Sequence, residues 1–215
     1  MKKRVAILIS GRGSNMRALA EAARAADYPA EVVLVVSNRP QAAGLAWARA
    51  QGLPACVVDH AAYESREEFE AHLEEALAAA HVDLVCLAGF LRLLTPGMAD
   101  KWRDRMLNIH PSLLPSFRGL NTHERALAAG VKIAGCTVHL VRPEVDTGPI
   151  LAQAAVPVLE TDTPETLAAR VLAAEHVIYP QALAAFASGL ATVDGDRVRL
   201  AVAVNQSASL FSPVL

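Results

Sequence analysis

The chain has 215 residues, of which 53% are hydrophobic and 20% are charged. This composition supports a large buried core and excludes an intrinsically disordered chain. The formal net charge of −2 gives no general electrostatic reason to bind nucleic acid or a membrane surface, and we expect neither as a partner.

The first residues and the cysteines exclude further classes of protein. The apolar run at residues 5–9 is shorter than the roughly 7–15 residues of a signal-peptide core. No segment approaches ~18 uninterrupted apolar residues, so we expect a cytoplasmic protein. Cys56, Cys86 and Cys136 lie far apart in apolar stretches, which argues against a disulfide framework and against a zinc site.

Short apolar runs alternate with alanine-rich stretches along the chain. The apolar runs predict strands at residues 5–9, 31–37, 55–58, 82–87, 106–109, 133–141 and 150–158. The alanine-rich stretches predict helices at residues 14–26, 41–51, 65–80, 122–129 and 163–188. Because the first four strands are apolar throughout, we expect a parallel sheet with helices on both faces. The alternation predicts a doubly wound, mostly parallel α/β fold of the Rossmann-like type.

Local signals refine the helix starts and the last strands. Ser65 opens a capping box, and Thr163 precedes a proline at the first helical position. Thr137 and His139 alternate with apolar neighbours, which indicates a mixed or antiparallel edge of the sheet. Residues 193–196 read VDGD, which predicts a hairpin after the last helix.

Residues 10–15 read SGRGSN and follow the first predicted strand. Two glycines followed by a polar pair are typical of a phosphate-binding turn at a strand–helix junction. A dinucleotide site would need a third glycine where Met16 stands, and an acidic residue after the second strand, where the sequence reads SNR. The pattern therefore favours a single phosphate, with Ser14 and Asn15 as side-chain donors. A tight turn with an ordinary helix cap is the alternative.

The segment MLNIHPSLLP at residues 106–115 carries the strongest chemical signal. Asn108 and His110 are two residues apart, so both side chains point to one face of an extended strand. A carboxamide can donate to an oxyanion and a histidine can move protons, a combination suited to acyl transfer. Asp146 is the candidate to orient or charge the imidazole, and a turn-initiating aspartate is the alternative. The sequence has no G-x-S-x-G nucleophile motif, which favours direct transfer between two bound substrates.

Together these motifs resemble the folate-dependent formyltransferases. The resemblance is carried by SGRGSN, by LAGFLRLL at 87–94, by NIHPSLLP at 108–115, by VDTGPI at 145–150 and by EHVIYP at 175–180, and it extends to about residue 185. It implies transfer of a formyl group from 10-formyltetrahydrofolate to the amine of glycinamide ribonucleotide in purine biosynthesis. It also implies small-molecule substrates only, no metal, and a monomer or homodimer.

The resemblance implies one formyltransferase domain over residues 1–215. Within it, residues 1–100 or so would form a phosphate-binding half, and residues 101–190 or so a folate-binding and catalytic half. Residues 190–215 would form a terminal hairpin and tail.

Roles for individual residues follow from the same resemblance. The ribonucleotide-binding residues would be Gly13, Ser14, Asn15 and Glu175. The catalytic trio would be Asn108, His110 and Asp146. The folate-binding residues would be Arg66, Leu91, Arg92, Leu93, Leu94, Asn108, Arg142, Pro143, Glu144, Val145 and Asp146. Asn121 stands where many relatives have a histidine, and we assign it no role.

Other functions fit parts of the pattern. A methionyl-tRNA formyltransferase would need a further carboxyl-terminal domain and a formyltetrahydrofolate hydrolase an extra amino-terminal one, and neither is expected for a chain of this extent. A non-catalytic phosphate- or folate-binding regulator is disfavoured because Asn108, His110 and Asp146 occur together. An NADP oxidoreductase with Arg39 on the 2′-phosphate is disfavoured by Met16.

Overall fold

The computed structural model describes residues 1–201 and Ser212, and these residues contain nine strands and six helices. The strands are β1 (Lys3–Ile9), β2 (Ala30–Ser37), β3 (Ala55–Val57), β4 (Leu84–Leu87), β5 (Met106–His110), β6 (Ile133–Leu140), β7 (Ile150–Pro157), β8 (Ala191–Asp194) and β9 (Arg197–Leu200). The helices are α1 (Ser14–Ala22), α2 (Ala43–Ala50), α3 (Arg66–Ala79), α4 (Pro96–Lys101), α5 (Thr122–Ala128) and α6 (Pro164–Ala187). A short 3₁₀ turn covers His60–Ala62.

Seven of these strands form one sheet in the order β3-β2-β1-β4-β5-β6-β7. Strands β1 to β5 are parallel to one another, whereas β6 and β7 pair antiparallel on one side of the sheet. Strands β8 and β9 form a separate hairpin. The predicted doubly wound fold, its antiparallel edge and its terminal hairpin are therefore confirmed. The strand order reverses beside β1, which opens a crevice between the loops that follow β1 and β4.

The sheet is buried on both faces, because successive apolar side chains of β1 point alternately to one face and the other. Ile7 and Ile9 belong to a core cluster that includes residues of α1, α2 and α6. Leu8 belongs to the cluster on the other face, with Phe69 and Leu73 of α3. Burying a large apolar side chain contributes roughly 1.5–3 kcal/mol. The two cores therefore hold the carboxyl ends of the parallel strands as a rigid platform for the loops.

Helix ends differ from the prediction where local signals are weak. α1 ends at Ala22 instead of residue 26. Toward residue 26 the backbone hydrogen bonds join residues three apart, as in a turn, and no longer four apart. One example is the bond from the Ala25 N–H to the Ala22 carbonyl at 3.2 Å. The sequence did not predict α4, which has six residues and begins with Pro96 and Gly97. The tail from residue 205 lies outside the described residues apart from Ser212. No helix within residues 1–201 is long and apolar enough to cross a membrane.

The two predicted caps behave differently. Thr163 and Thr166 bond reciprocally at the start of α6, which forms a complete capping box. Ser65 accepts from the Glu68 N–H at 3.0 Å, but the Glu68 carboxylate accepts from the Glu64 N–H. The prediction of a reciprocal box at α3 is therefore wrong in its second half, although Ser65 does cap the helix.

Candidate active site

The loop after β1 turns sharply into α1. Gly13 occupies the cap position of α1 with a φ of 71°, a left-handed conformation that glycine adopts without strain. A side chain at Gly13 would lie 3.1 Å from the Gly44 Cα, and the Gly44 N–H donates to the Gly11 carbonyl at 3.0 Å. Among the described residues none caps α1 with its side chain, so the first N–H groups of α1 are available to an anion.

The residues predicted to bind the ribonucleotide lie where α1 meets α6. Asn15 Nδ2 donates to Glu175 Oε2 at 2.7 Å, and both residues are buried. The sequence pattern predicts this amide as a phosphate donor, and the structure directs one of its two N–H groups to Glu175 of α6. Burial raises the pKa of Glu175, and the hydrogen bond from Asn15 opposes that rise. Ser14 is half-buried in the first turn of α1.

His110 and Asp146 form a buried pair. His110 is the last residue of β5, and its Nδ1 lies 3.3 Å from Asp146 Oδ2. Asp146 lies between β6 and β7 with a φ of 55°, and its Oδ2 also accepts from the Gly119 N–H at 2.9 Å. The two side chains are 7% and 8% exposed. The pair therefore works where water is largely excluded, which strengthens its electrostatics.

Burial and charge act in opposite directions on this pair. Burial lowers the pKa of His110, while the Phe117 carbonyl and the Asp146 carboxylate act to raise it. Burial acts to raise the pKa of Asp146, but the Gly119 N–H and the nearby His110 hold it below its ordinary value. At neutral pH Asp146 is therefore ionised and His110 is mainly neutral.

The second ring nitrogen of His110 contacts the backbone. Nε2 lies 3.0 Å from the carbonyl oxygen of Phe117, a residue with a φ of 54°. Because a carbonyl oxygen only accepts, Nε2 carries a proton in this contact. A second proton, on Nδ1, turns the Asp146 contact into a charge-assisted hydrogen bond. These two contacts therefore favour the imidazolium when it forms, whereas burial opposes it.

His139 joins the site, although the sequence pattern only placed it on a predicted strand. It lies directly opposite Asn108 across the β5–β6 ladder, and Asn108 Nδ2 is 3.1 Å from His139 Nε2. His139 Nδ1 is 3.0 Å from the Leu140 carbonyl and donates there, and Nε2 accepts from the Asn108 amide. Asp146 Oδ1 is 3.6 Å from the same Nε2, beyond hydrogen-bond length. His139 thus uses one N–H of the Asn108 amide and leaves the other for a substrate.

The predicted folate-binding residues after β4 are only partly exposed. Leu91 and Leu93 are 63% and 57% exposed in the irregular segment before α4. Leu94 instead packs, partly buried, against the core. Arg66 and Arg92 line an open cleft of about 510 Å³. Glu64 and Glu67 line the same cleft, so its formal charges balance, and each guanidinium can pair with one carboxylate of a ligand.

An ion pair holds the loop between β6 and β7. Arg142 donates to Asp104 Oδ1 at 2.6 Å, so its guanidinium is engaged with the turn before β5. Pro143, Glu144 and Val145 are exposed beside it. The structure thus gives the Arg142 side chain a part in holding the loop, and a contact between this loop and folate remains a prediction.

Two other kinds of site come into question within the described residues, a cluster of metal ligands and a cysteine nucleophile. Within residues 1–201, no three His, Cys, Asp or Glu side chains are close enough to hold a metal ion. Burial raises the pKa of Cys86 and of Cys136 to about 12. Both thiols are therefore protonated at neutral pH and are poor nucleophiles.

A buried imidazole that is paired with a carboxylate and accompanied by an oriented carboxamide defines a class of α/β enzyme, one that moves protons and stabilises an oxyanion. Residues 3–183 match the model of the protein family described as Formyl transferase. Because this match spans most of the chain, the protein belongs to the formyl transferase family.

Individual relatives fall into two groups by length. The chain is 39% identical over 201 residues to the phosphoribosylglycinamide formyltransferase of Escherichia coli (strain K12), a match that spans 90% of this chain and 95% of that protein. It is 50% identical over 188 residues to the trifunctional purine biosynthetic protein adenosine-3 of Homo sapiens, a match that spans 87% of this chain. It covers only 19% of the length of that trifunctional relative.

A solved structure agrees in fold over the same extent. Glycinamide ribonucleotide transformylase 1 from Symbiobacterium toebii is 51% identical to the chain, with a TM-score of 0.90. The superposition covers 93% of this chain and 94% of that one.

Proposed function

We propose that the protein transfers the formyl group of 10-formyltetrahydrofolate to the amine of glycinamide ribonucleotide. The products would be N-formylglycinamide ribonucleotide and tetrahydrofolate, a step of purine biosynthesis. The observation that carries the proposal is the buried pair of His110 and Asp146 at 3.3 Å, with Asn108 oriented by His139. The relative from Escherichia coli, which is matched over nearly its whole length and named for this activity, supports the same substrates.

The reaction requires an oxyanion to be stabilised and a proton to be moved. The neutral amine attacks the formyl carbon, a C–N bond forms, and the carbonyl oxygen becomes the oxyanion of a tetrahedral intermediate. Asn108 donates its second N–H to this oxyanion, and protonated His110 donates from Nε2. The Asp146 carboxylate takes the proton from the amine and passes it to N10, and the bond between the formyl carbon and N10 then breaks. Removing one such donor typically costs on the order of 10²–10³ in turnover.

The contact between His110 and Phe117 must change during this reaction. Nε2 lies against the Phe117 carbonyl, so the oxyanion has to replace that carbonyl as the acceptor. A cavity of about 110 Å³ lined by Phe117, Leu113 and His123 lies beside this loop and gives it room to shift. Substrate binding and movement of Phe117 are therefore expected to occur together.

The folate donor is a substrate, and the surfaces around the site suit its chemistry. Leu91, Leu93 and Val145 expose apolar surface that a flat ring system would cover, a gain of roughly 25 cal/mol for each Å² removed from water. Arg66 and Arg92 would meet the glutamate carboxylates in their cleft. The exposed leucines and the arginine cleft together would set the orientation of the donor.

The acceptor would bind on the other side of the crevice. Gly13, Ser14 and Asn15 would hold its phosphate at the start of α1, and Glu175 would contact its ribose or amide. Residues 1–215 would act as one cytoplasmic formyltransferase domain on small molecules. A monomer or a homodimer is consistent with this proposal, and no nucleic acid, membrane or metal takes part in it.

An absorbance assay of tetrahydrofolate release tests the proposal, run with and without glycinamide ribonucleotide. We expect release only when the amine is present, and a fall of about 10²–10³ in kcat for His110→Ala. His81→Ala, an exposed histidine before β4, is the control that should retain activity. Release without the amine would indicate a formyltetrahydrofolate hydrolase. Tight binding of NADPH by calorimetry without any release would favour the dinucleotide alternative.

A further inference from the structure

The two loops that the proposed reaction assigns to different substrates meet at Ser10. Ser10 directly follows β1 and is 3% exposed. Its N–H donates to the Gly89 carbonyl at 3.1 Å, and its Oγ accepts from the Leu91 N–H at 2.8 Å. Residues 11–15 follow Ser10 and form the phosphate loop, whereas Leu91 begins the folate segment, residues 91–94. One buried hydroxyl therefore joins the loops after β1 and β4.

Asn38 fixes the direction of the Ser10 hydroxyl. Ser10 Oγ donates to Asn38 Oδ1 at 2.6 Å, so its hydrogen is committed and its lone pairs remain for the Leu91 N–H. Asn38 directly follows β2, is 1% exposed, and accepts from His60 Nδ1 through its backbone carbonyl at 2.7 Å. The carboxyl ends of three neighbouring strands are thus tied together at Ser10.

The far end of the folate segment is held independently. Glu70 of α3 is 6% exposed and accepts from both the backbone N–H and the hydroxyl of Thr95. Ser10 holds the segment from the phosphate loop, whereas Glu70 holds it from α3. The two attachments can therefore be tested separately.

We propose that Ser10 is a positioning residue that couples the two substrate sites. Ordering of residues 11–15 by a phosphate would order the folate segment through Ser10, and folate would act in the reverse direction. This inference rests on the proposed function, because it takes the phosphate loop to bind the ribonucleotide and the folate segment to bind folate. The crevice between β1 and β4 is where open α/β sheets bind ligands. Because binding coupling is reciprocal, each ligand must raise the affinity for the other by the same factor.

Calorimetric titration measures this factor directly. Tetrahydrofolate is titrated into the full chain with and without saturating glycinamide ribonucleotide, and the order is then reversed. For the unmodified protein we expect a ratio of affinities of about 5 or more, the lower end of typical coupling. For Ser10→Ala we expect each ligand still to bind alone, with the ratio reduced to within about twofold of one.

Two variants separate coupling from general damage. Ser37→Ala removes a fully buried hydroxyl at the end of β2 that bonds to the backbone of Arg39, and it should keep the unmodified ratio. Glu70→Gln should weaken tetrahydrofolate binding and also keep the ratio.

An unchanged ratio in Ser10→Ala would overturn the inference, and so would an equal loss in Ser37→Ala. If the unmodified protein binds both ligands with a ratio of affinities of one, the coupling inference is overturned and the proposed function is not. Failure of the unmodified protein to bind either ligand would overturn the proposed function, so the two failures are distinguishable.

Discussion

Replacing Asp146 by asparagine removes the negative charge beside His110 and keeps the size of the side chain. The carboxylate oxygen lies 3.3 Å from His110 Nδ1. An opposite charge at such a distance typically shifts a pKa by about 1–3 units, which is about 1.4–4 kcal/mol of imidazolium stabilisation. If the imidazolium forms in the transition state, kcat should fall roughly 10- to 1000-fold.

The variant should also change the pH dependence of the reaction. Protonated His110 is the donor, so kcat falls as pH rises through the pKa that His110 has in the complex. Loss of the Asp146 charge lowers that pKa, and the alkaline limb of the profile therefore moves to lower pH. Tetrahydrofolate release, measured with saturating amine substrate from acidic to alkaline pH, gives both the fall in kcat and the position of the alkaline limb.

Asp104→Asn is the matched control for this prediction. Asp104 is 43% exposed and pairs with Arg142 on the loop that carries Asp146. The Arg142 side chain is only 9% exposed, but asparagine keeps an oxygen acceptor for it, so kcat should change by no more than about fivefold. Charge stabilisation by Asp146 would be refuted if Asp146→Asn kept kcat within about twofold of the unmodified enzyme, or if its alkaline limb did not move. An equal loss in both variants would indicate damage to the loop.

Three further changes test other parts of the site. Replacing Ser14 and Asn15 together by alanine should raise the KM for glycinamide ribonucleotide much more than the KM for the folate donor, and equal increases would reduce the loop to a helix cap. Gly148→Ala would place a Cβ 1.8 Å from the Leu140 carbonyl oxygen. We expect it to lower stability by on the order of 3 kcal/mol in a thermal melt and to lower kcat, since the Asp146 loop is displaced. Burial raises the pKa of Glu175, so the unmodified protein should lose stability as pH rises from the ordinary carboxyl range through that raised pKa. Urea unfolding across this pH range should show that Glu175→Gln removes the loss, and parallel curves for the two proteins would contradict the reasoning.

Most of the fold can be predicted from local patterns in the sequence. β1 is apolar from Val5 to Ile9 because helices cover both of its faces, and the same holds for β4. The antiparallel edge is visible in the alternation of Thr137 and His139 along β6. α4 was missed because its six residues are too few to show a helical period, and its proline and glycine resemble a turn.

Only part of the site can be predicted from residues that are close in sequence. Asn108 and His110 can be paired from sequence because residues two apart in a strand share a face. Asp146 and Glu175 reach their partners through tertiary structure. The chain leaves β6 beside β5, with Val141 N–H on the Met106 carbonyl at 2.9 Å, and the loop then returns Asp146 to His110. A resemblance between motifs can identify such residues, but spacing alone does not bring them together.

His139 shows how the change of strand direction serves the chemistry. In an antiparallel ladder each residue lies opposite one partner, and the register places His139 opposite Asn108. A slip of one residue would instead place Val138 or Leu140 there, and each of these apolar side chains points to the other face. The amide of Asn108 would then lose the acceptor that directs one of its N–H groups. The antiparallel pairing of β6 therefore does more than end the parallel sheet, because its register decides whether the carboxamide can be oriented toward an oxyanion.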